Sequence, residues 1–89
     1  MKSLARTNQF KRDYKKAKKR GCDISKLLEM VTRLASGEKL EPKYKDHILG
    51  GQYPDCRECH IEPDWLLIYQ LTEEELVLIR TGSHADLFE

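Results

Sequence analysis

Three histidines carry most of the chemical potential of this chain, and none falls in a helical apolar stripe. His47 lies in a segment broken by Pro42, Gly50, Gly51 and Pro54, His60 ends one apolar-alternating run, and His84 follows the last such run. Taken singly, each is an ordinary surface or hydrogen-bonded histidine. Taken with Asp64, Arg80 and Lys45, they form an inventory of imidazoles, a carboxylate and fixed cations. An imidazole titrating near pH ~6.5 can take or give a proton at neutral pH. Such a set suits metal-free RNA cleavage, which needs three things. A base removes the proton of the 2′-hydroxyl, a cation holds charge on the phosphorus oxygens, and an acid protonates the leaving 5′-oxygen. A nucleophilic cysteine is a weaker alternative, because Cys59 and His60 are neighbours on an expected strand and point to opposite faces.

Cys56-Arg57-Glu58-Cys59-His60 matches the spacing of a haem-attachment motif. We expect neither haem nor zinc there. Covalent haem of this type goes with export, and two cysteines three apart on a strand cannot converge on one ion. No Gly or Pro lies between them to make a knuckle. Residues 1–6 lack the apolar stretch of a secretory leader, and no apolar run approaches the ~20 residues of a membrane span. The expectation is a cytoplasmic protein with reduced thiols, no cofactor and no membrane partner.

The net charge of +1 hides an asymmetry. Residues 1–20 hold nine Lys or Arg against Asp13 alone, while the remainder is acidic. A basic stripe on one element is the electrostatic footprint of a phosphate backbone or an acidic partner, although it is also how a solvated helix face looks. Lys11, Arg12, Lys15, Lys16, Lys18 and Lys19, with Lys45 in the loop, are the candidate RNA-binding cations. Trp65 is added as an aromatic that could stack on a base, although Trp65 and Tyr69 first read as a core pattern. Phe88 has no core periodicity, and either stacks on an unpaired base or plugs the sheet.

These groups must be positioned by one small domain over residues 1–89. A short strand at 2–6 precedes a helix with Thr7 or Asn8 as its cap and Phe10, Tyr14 and Ala17 on one face, ended by Gly21. Asp23 caps a second helix lined by Ile24, Leu27, Leu28, Val31 and Leu34, closed by Gly37. Residues 38–54 lose periodicity and read as one long loop. Strands are expected at 55–61, 65–71 and 75–81, then a tail with a short helical turn. The order β-α-α-β-β-β predicts an α+β fold, an αα-hairpin on one face of a small, twisted, mostly antiparallel sheet. The other face, left without a covering layer, is where a site can be built.

Four segments together resemble a known family. They are Tyr44-Lys45-Asp46-His47, Leu49-Gly50-Gly51, the run from Cys59 through His60-Ile61-Glu62-Pro63-Asp64-Trp65 to Tyr69, and Arg80-Thr81-Gly82-Ser83-His84-Ala85-Asp86-Leu87-Phe88. They are similar to the YafQ-type toxins, bacterial type II toxins of the RelE superfamily, and the likeness covers essentially the whole chain. The resemblance implies a RelE-like fold and an endoribonuclease that cuts mRNA in the ribosomal A site. It also implies a cognate antitoxin, a small protein of ribbon-helix-helix type with an acidic region. Carried over position by position, the family's active-site residues fall on His47, His60, Asp64, Arg80, His84 and Phe88. Placement beyond Gly82 makes His84 the general acid, with His60 and Asp64 on the base side and Arg80 as phosphate clamp. A ParE-like gyrase inhibitor or a plain RNA-binding module are the alternatives, and neither explains the histidine set.

Overall fold

The structure, a computed structural model, describes residues 1–89. Strand β1 (Ser3–Arg6) leads into helices α1 (Asn8–Lys19) and α2 (Ile24–Ala35). A 3₁₀ turn (Pro42–Tyr44) precedes β2 (His47–Ile48), β3 (Arg57–Glu62), β4 (Trp65–Leu71), β5 (Glu75–Gly82) and a closing helix α3 (His84–Phe88). The sheet runs β1-β5-β4-β3-β2, with β1 parallel to β5 and every other pair antiparallel. The expected α+β architecture is present, with one more strand than predicted. Residues 38–54 are not wholly irregular, because His47 and Ile48 pair with Glu58 and Arg57 at the sheet edge. Two residues are too few to register as a period.

Local chemistry explains the helices. The Thr7 hydroxyl accepts from the Phe10 N–H at 2.9 Å, and the Asp23 carboxylate accepts from the Ser25 N–H at 3.1 Å. Each satisfies one of the orphan donors of a helix start. Gly21 and Gly37 take left-handed φ values of +81° and +79° just beyond the helix ends, where a side chain would be strained. Phe10, Ala17, Leu27, Met30 and Leu34 then bury against Cys59, Ile61, Trp65, Leu67 and Tyr69 of the sheet. Each large side chain so buried contributes roughly 1.5–3 kcal/mol. Leu28, expected on this face, is instead 53% exposed, one position out of phase with the stripe that Leu27, Met30, Val31 and Leu34 make.

The opposite sheet face is not left open. Leu66, Ile68 and Cys56 pack there under Leu87 of α3, with Leu49, Tyr53 and Ile79 at the margin. The segment after β2 and the closing helix cover the sheet, so the site lies at the rim of this second cluster. A bulge aims one residue at that face. Tyr69 pairs with Leu78 but Ile68 pairs with Arg80, which leaves Ile79 as the extra residue. Without the extra residue, strict alternation would put Arg80 on the helix side with Leu78.

Candidate active site

His84 is fixed by the way α3 begins. The Ser83 hydroxyl accepts from the Asp86 N–H at 3.1 Å and the Asp86 carboxylate accepts from the Ser83 N–H at 3.0 Å, a reciprocal capping box. Asp86 also accepts two bonds from the Arg20 guanidinium, at 2.6 and 3.1 Å, and one from Lys16 at 3.3 Å, tying α3 to the basic helix α1. Arg20 first, then the Ser83 N–H, hold the Asp86 carboxyl well below the usual carboxylate range. Gly82 makes this fit possible, since a Cβ there would lie 2.9 Å from the Asp86 Cβ.

As the first residue of α3, His84 has a backbone N–H with no partner inside the helix. Asp64, in the β3–β4 turn, accepts it at 2.9 Å and lies 2.6 Å from the ring Nδ1. The backbone donor first and the ring second lower the Asp64 pKa. An ionised carboxylate only accepts, so Nδ1 carries the proton and Nε2 is the nitrogen free to exchange one. Sequence reasoning placed Asp64 beside His60; the structure gives it to His84.

His60 has a carboxylate of its own. Glu58, two residues earlier on the same face of β3, is only 4% exposed. One of its oxygens lies 3.4 Å from His60 Nε2 and 3.5 Å from His47 Nε2, the cross-strand partner on β2. His47 is steadied from behind by its Nδ1 donating to the Lys45 carbonyl at 2.7 Å. The His60 and His84 rings meet edge to face at a centroid distance of 5.6 Å. Phe88, one turn along α3, lies 6.5 Å from His84 and stands edge-on to Tyr53 at 5.7 Å. Phe88 is 39% exposed, so it neither plugs the sheet fully nor hangs free. No group of three or more His, Cys, Asp or Glu side chains surrounds a point where a metal ion could sit.

Arg80 completes the rim and is already engaged. Its Nε and Nη2 donate to the two oxygens of Asp13 on α1, each at 3.0 Å. Asp13 also accepts from the Thr81 N–H at 3.3 Å and is 7% exposed. Asp13 first, and the Tyr53 hydroxyl after burial has opposed it, raise the Arg80 pKa above its ordinary value. The pairing occupies one edge of the guanidinium and leaves Nη1 for another anion. Thus five of the six predicted residues lie in one array running from Arg80 past Tyr53, Phe88, His84 and His60 to His47, and the sixth, Asp64, is bonded to His84.

Four members or supports of that array were not foreseen: Asp13, Glu58, Tyr53 and Asp86. Asp13 was discoverable, because it shares the α1 stripe with Phe10 and Ala17 and is the only acid in a basic segment. Glu58 alternates in phase with His60. Among the RNA-binding candidates, Lys11, Arg12, Lys15, Lys16, Lys18, Lys19 and Lys45 are exposed. Trp65 is not available to stack on a base. It is 6% exposed, packs with Leu67 and Tyr69, and donates its indole N–H to the Thr81 hydroxyl at 3.0 Å. Cys56 and Cys59 enter opposite clusters, and burial pushes the Cys59 thiol up to about 12, far from nucleophile chemistry.

The chain and its geometry have close relatives. Residues 2–89 match the family described as a bacterial toxin of type II toxin-antitoxin systems, YafQ. Over 83 residues the sequence is 45% identical to the mRNA interferase toxin YafQ of Escherichia coli K12, covering 92% of this chain and 90% of that one. The fold superposes on the toxin of the E. coli DinJ-YafQ toxin-antitoxin complex with a TM-score of 0.92 and 42% identity, covering 99% of this chain and 98% of that one. A metal-bound toxin from Helicobacter pylori matches with a TM-score of 0.91 and 44% identity, covering 99% and 100%. Sequence and fold agree from end to end of the matched region: the chain belongs to the YafQ family of bacterial toxins of type II toxin-antitoxin systems.

Proposed function

We propose that this toxin is a ribosome-dependent endoribonuclease that cuts mRNA in the ribosomal A site by general acid–base catalysis. The observation that carries the proposal is the His60–His84 pair, two imidazoles 5.6 Å apart, each backed by a different carboxylate, with the Arg80 cation held in place further along the same rim. His60, steadied by Glu58 together with His47, takes the proton of the 2′-hydroxyl. The 2′-oxygen attacks phosphorus, and the free edge of Arg80 stabilises the charge gathered on the non-bridging oxygens. His84 delivers the Nε2 proton to the departing 5′-oxygen, leaving a 2′,3′-cyclic phosphate and a 5′-hydroxyl. Phe88 stacks on a base next to the cleaved bond. The metal-bound H. pylori relative raises the question of an ion, but the donors here do not converge on one, and no step above runs through it.

The ribosome enters because so small a rim offers little surface with which to align RNA alone, and a presented message can supply several kcal/mol of alignment. The exposed cations of α1 dock on ribosomal RNA, with salt-sensitive affinity. The DinJ-YafQ complex supports a cognate antitoxin, acidic where it meets α1, that covers Arg80, His84 and the segment around His47. The test is primer extension on programmed ribosomes and on the same RNA free in solution. We expect phased cuts with cyclic phosphate ends on ribosomes only, abolished by the antitoxin. Equal phased cutting of naked RNA removes the ribosome from the account, and gyrase inhibition without RNA cleavage favours the ParE-like alternative.

A further inference from the structure

His60 has a second environment. Away from His84, it lines a cavity of about 520 Å³ between α2, the Pro42–Tyr44 turn and the end of β3. Small-ligand pockets span ~300–1,000 Å³, so there is room for one nucleotide. Lys26, Arg33, Lys43 and Lys45 line the walls with Tyr44, against two acids, Glu29 and Glu62. Two of the four cations already have partners: Lys26 bonds Glu62 at 3.2 Å and Arg33 bonds Glu41 at 2.8 Å. Lys43 and Lys45 make no ion pair; Lys43 Nζ lies 5.1 Å from the Tyr44 ring centre and Arg33 Cζ 5.5 Å from it, and Lys45 sits at a left-handed φ of 49°. The Lys26–Glu62 pair is half exposed on both sides, the kind of contact a phosphate displaces readily.

We propose that this cavity is a subsite for the nucleotide flanking the cleaved bond, its phosphate held by Lys43 and Lys45 and its base lying along Tyr44. The inference rests on the RNA-cleaving function proposed above and extends it. His60 is the shared wall: a strand whose scissile phosphate lies between His60 and His84 has its neighbouring nucleotide delivered to the other side of His60. Three features favour RNA over an acidic peptide. They are the aromatic beside unpaired cations, the concave single-nucleotide volume, and a wall formed by His60.

The test uses the full chain and a tetranucleotide made uncleavable by 2′-deoxy substitution, titrated while amide chemical shifts are followed. Shifts at Lys26, Tyr44 and Glu62 together with those at His84 and Phe88 support the subsite. The Lys43→Ala/Lys45→Ala double variant should lower the slope of log affinity against log salt by about 0.7, the contribution of one phosphate contact on a single strand. On ribosomes, the double variant should raise KM several-fold and leave kcat nearly unchanged. Shifts confined to α1 or to the Tyr53–Phe88 side, or an unchanged salt slope, overturn the subsite. If wild-type protein cuts mRNA on ribosomes while the double variant matches it in KM, only the subsite fails. If wild type does not cut, the proposed function fails first.

Discussion

Replacing Asp13 by Asn removes one charge from a pair whose side chains are 6% and 23% exposed, and leaves the Arg80 guanidinium without its counter-ion. Loss of one partner from a buried, hydrogen-bonded pair costs ~3–5 kcal/mol. Because Arg80 keeps a water-facing edge, the lower end applies, about 3 kcal/mol. A chain of 89 residues has a total stability of roughly 4–13 kcal/mol, so the loss is a large share of it. At ~4–8 °C per kcal/mol for a domain this size, Tm should fall by about 12–24 °C. The assay is urea unfolding and calorimetry of Asp13→Asn, Arg80→Met and the double variant. With both charges gone, the double variant should recover most of the stability, giving a coupling of about 2 kcal/mol or more. It should remain unable to cut RNA, because the cation facing the phosphate is absent. A single-variant loss under about 1 kcal/mol, or a coupling near zero, would show that Asp13 does not position Arg80.

His84→Ala should lower cleavage by roughly 10²–10⁴-fold with fold and ribosome binding intact, and RNA with a 5′-thio leaving group should recover most of that loss; rescue of His60→Ala instead exchanges the two roles. Asp86 has a folded-state pKa held below its unfolded value of ~3.9, so its stabilisation is present above about pH 4 and lost as pH falls through the folded value. The stability gap between wild type and Asp86→Asn, measured by urea unfolding from pH 7 to 2, should therefore narrow below about pH 4; a gap as large at pH 2 as at pH 7 refutes the ionic latch. Iodoacetamide at pH 8.5 should label Cys22, which is partly exposed, and spare Cys59, whose thiol is pushed up to about 12. Mass spectrometry showing equal labelling rates in the native protein would contradict the burial of Cys59.

The fold was legible because its elements obey strong local rules: capped helices at Thr7 and Asp23, glycines at Gly21 and Gly37, and apolar strands at 65–71 and 75–82. β2 was not, because two residues held by pairing with Glu58 and Arg57 leave no periodic mark. The histidines could be gathered into one site because each sits at a strand end or loop. Their carboxylate partners could not be assigned. Glu58 is paired to His47 by strand register and Asp64 to His84 by the start of a helix, and both are tertiary facts. Trp65 misled because an aromatic on a strand looks alike whether it stacks on a base or on Leu67; only the covering of that face by two helices decides it. The second sheet face looked bare because its cover, Tyr53 and Leu87, comes from segments without amphipathic period.

The parallel pairing of β1 with β5 also governs how the molecule is made. Ser3 lies against Glu75, and Asp13 grips Arg80 at a sequence separation of 67. Contacts of such sequence separation raise the relative contact order and slow folding, since the closure entropy of the loop precedes any reward. During synthesis β1 emerges first and has no neighbour until β5 follows it. Helices α1 and α2 can each nucleate early from local contacts, but the surfaces they pack on belong to β3 and β5. Arg80, the bulge at Ile79 and the α3 latch on Arg20 all wait for that final docking. A nascent or partly unfolded toxin therefore exposes its basic helix before it owns an assembled cleavage rim.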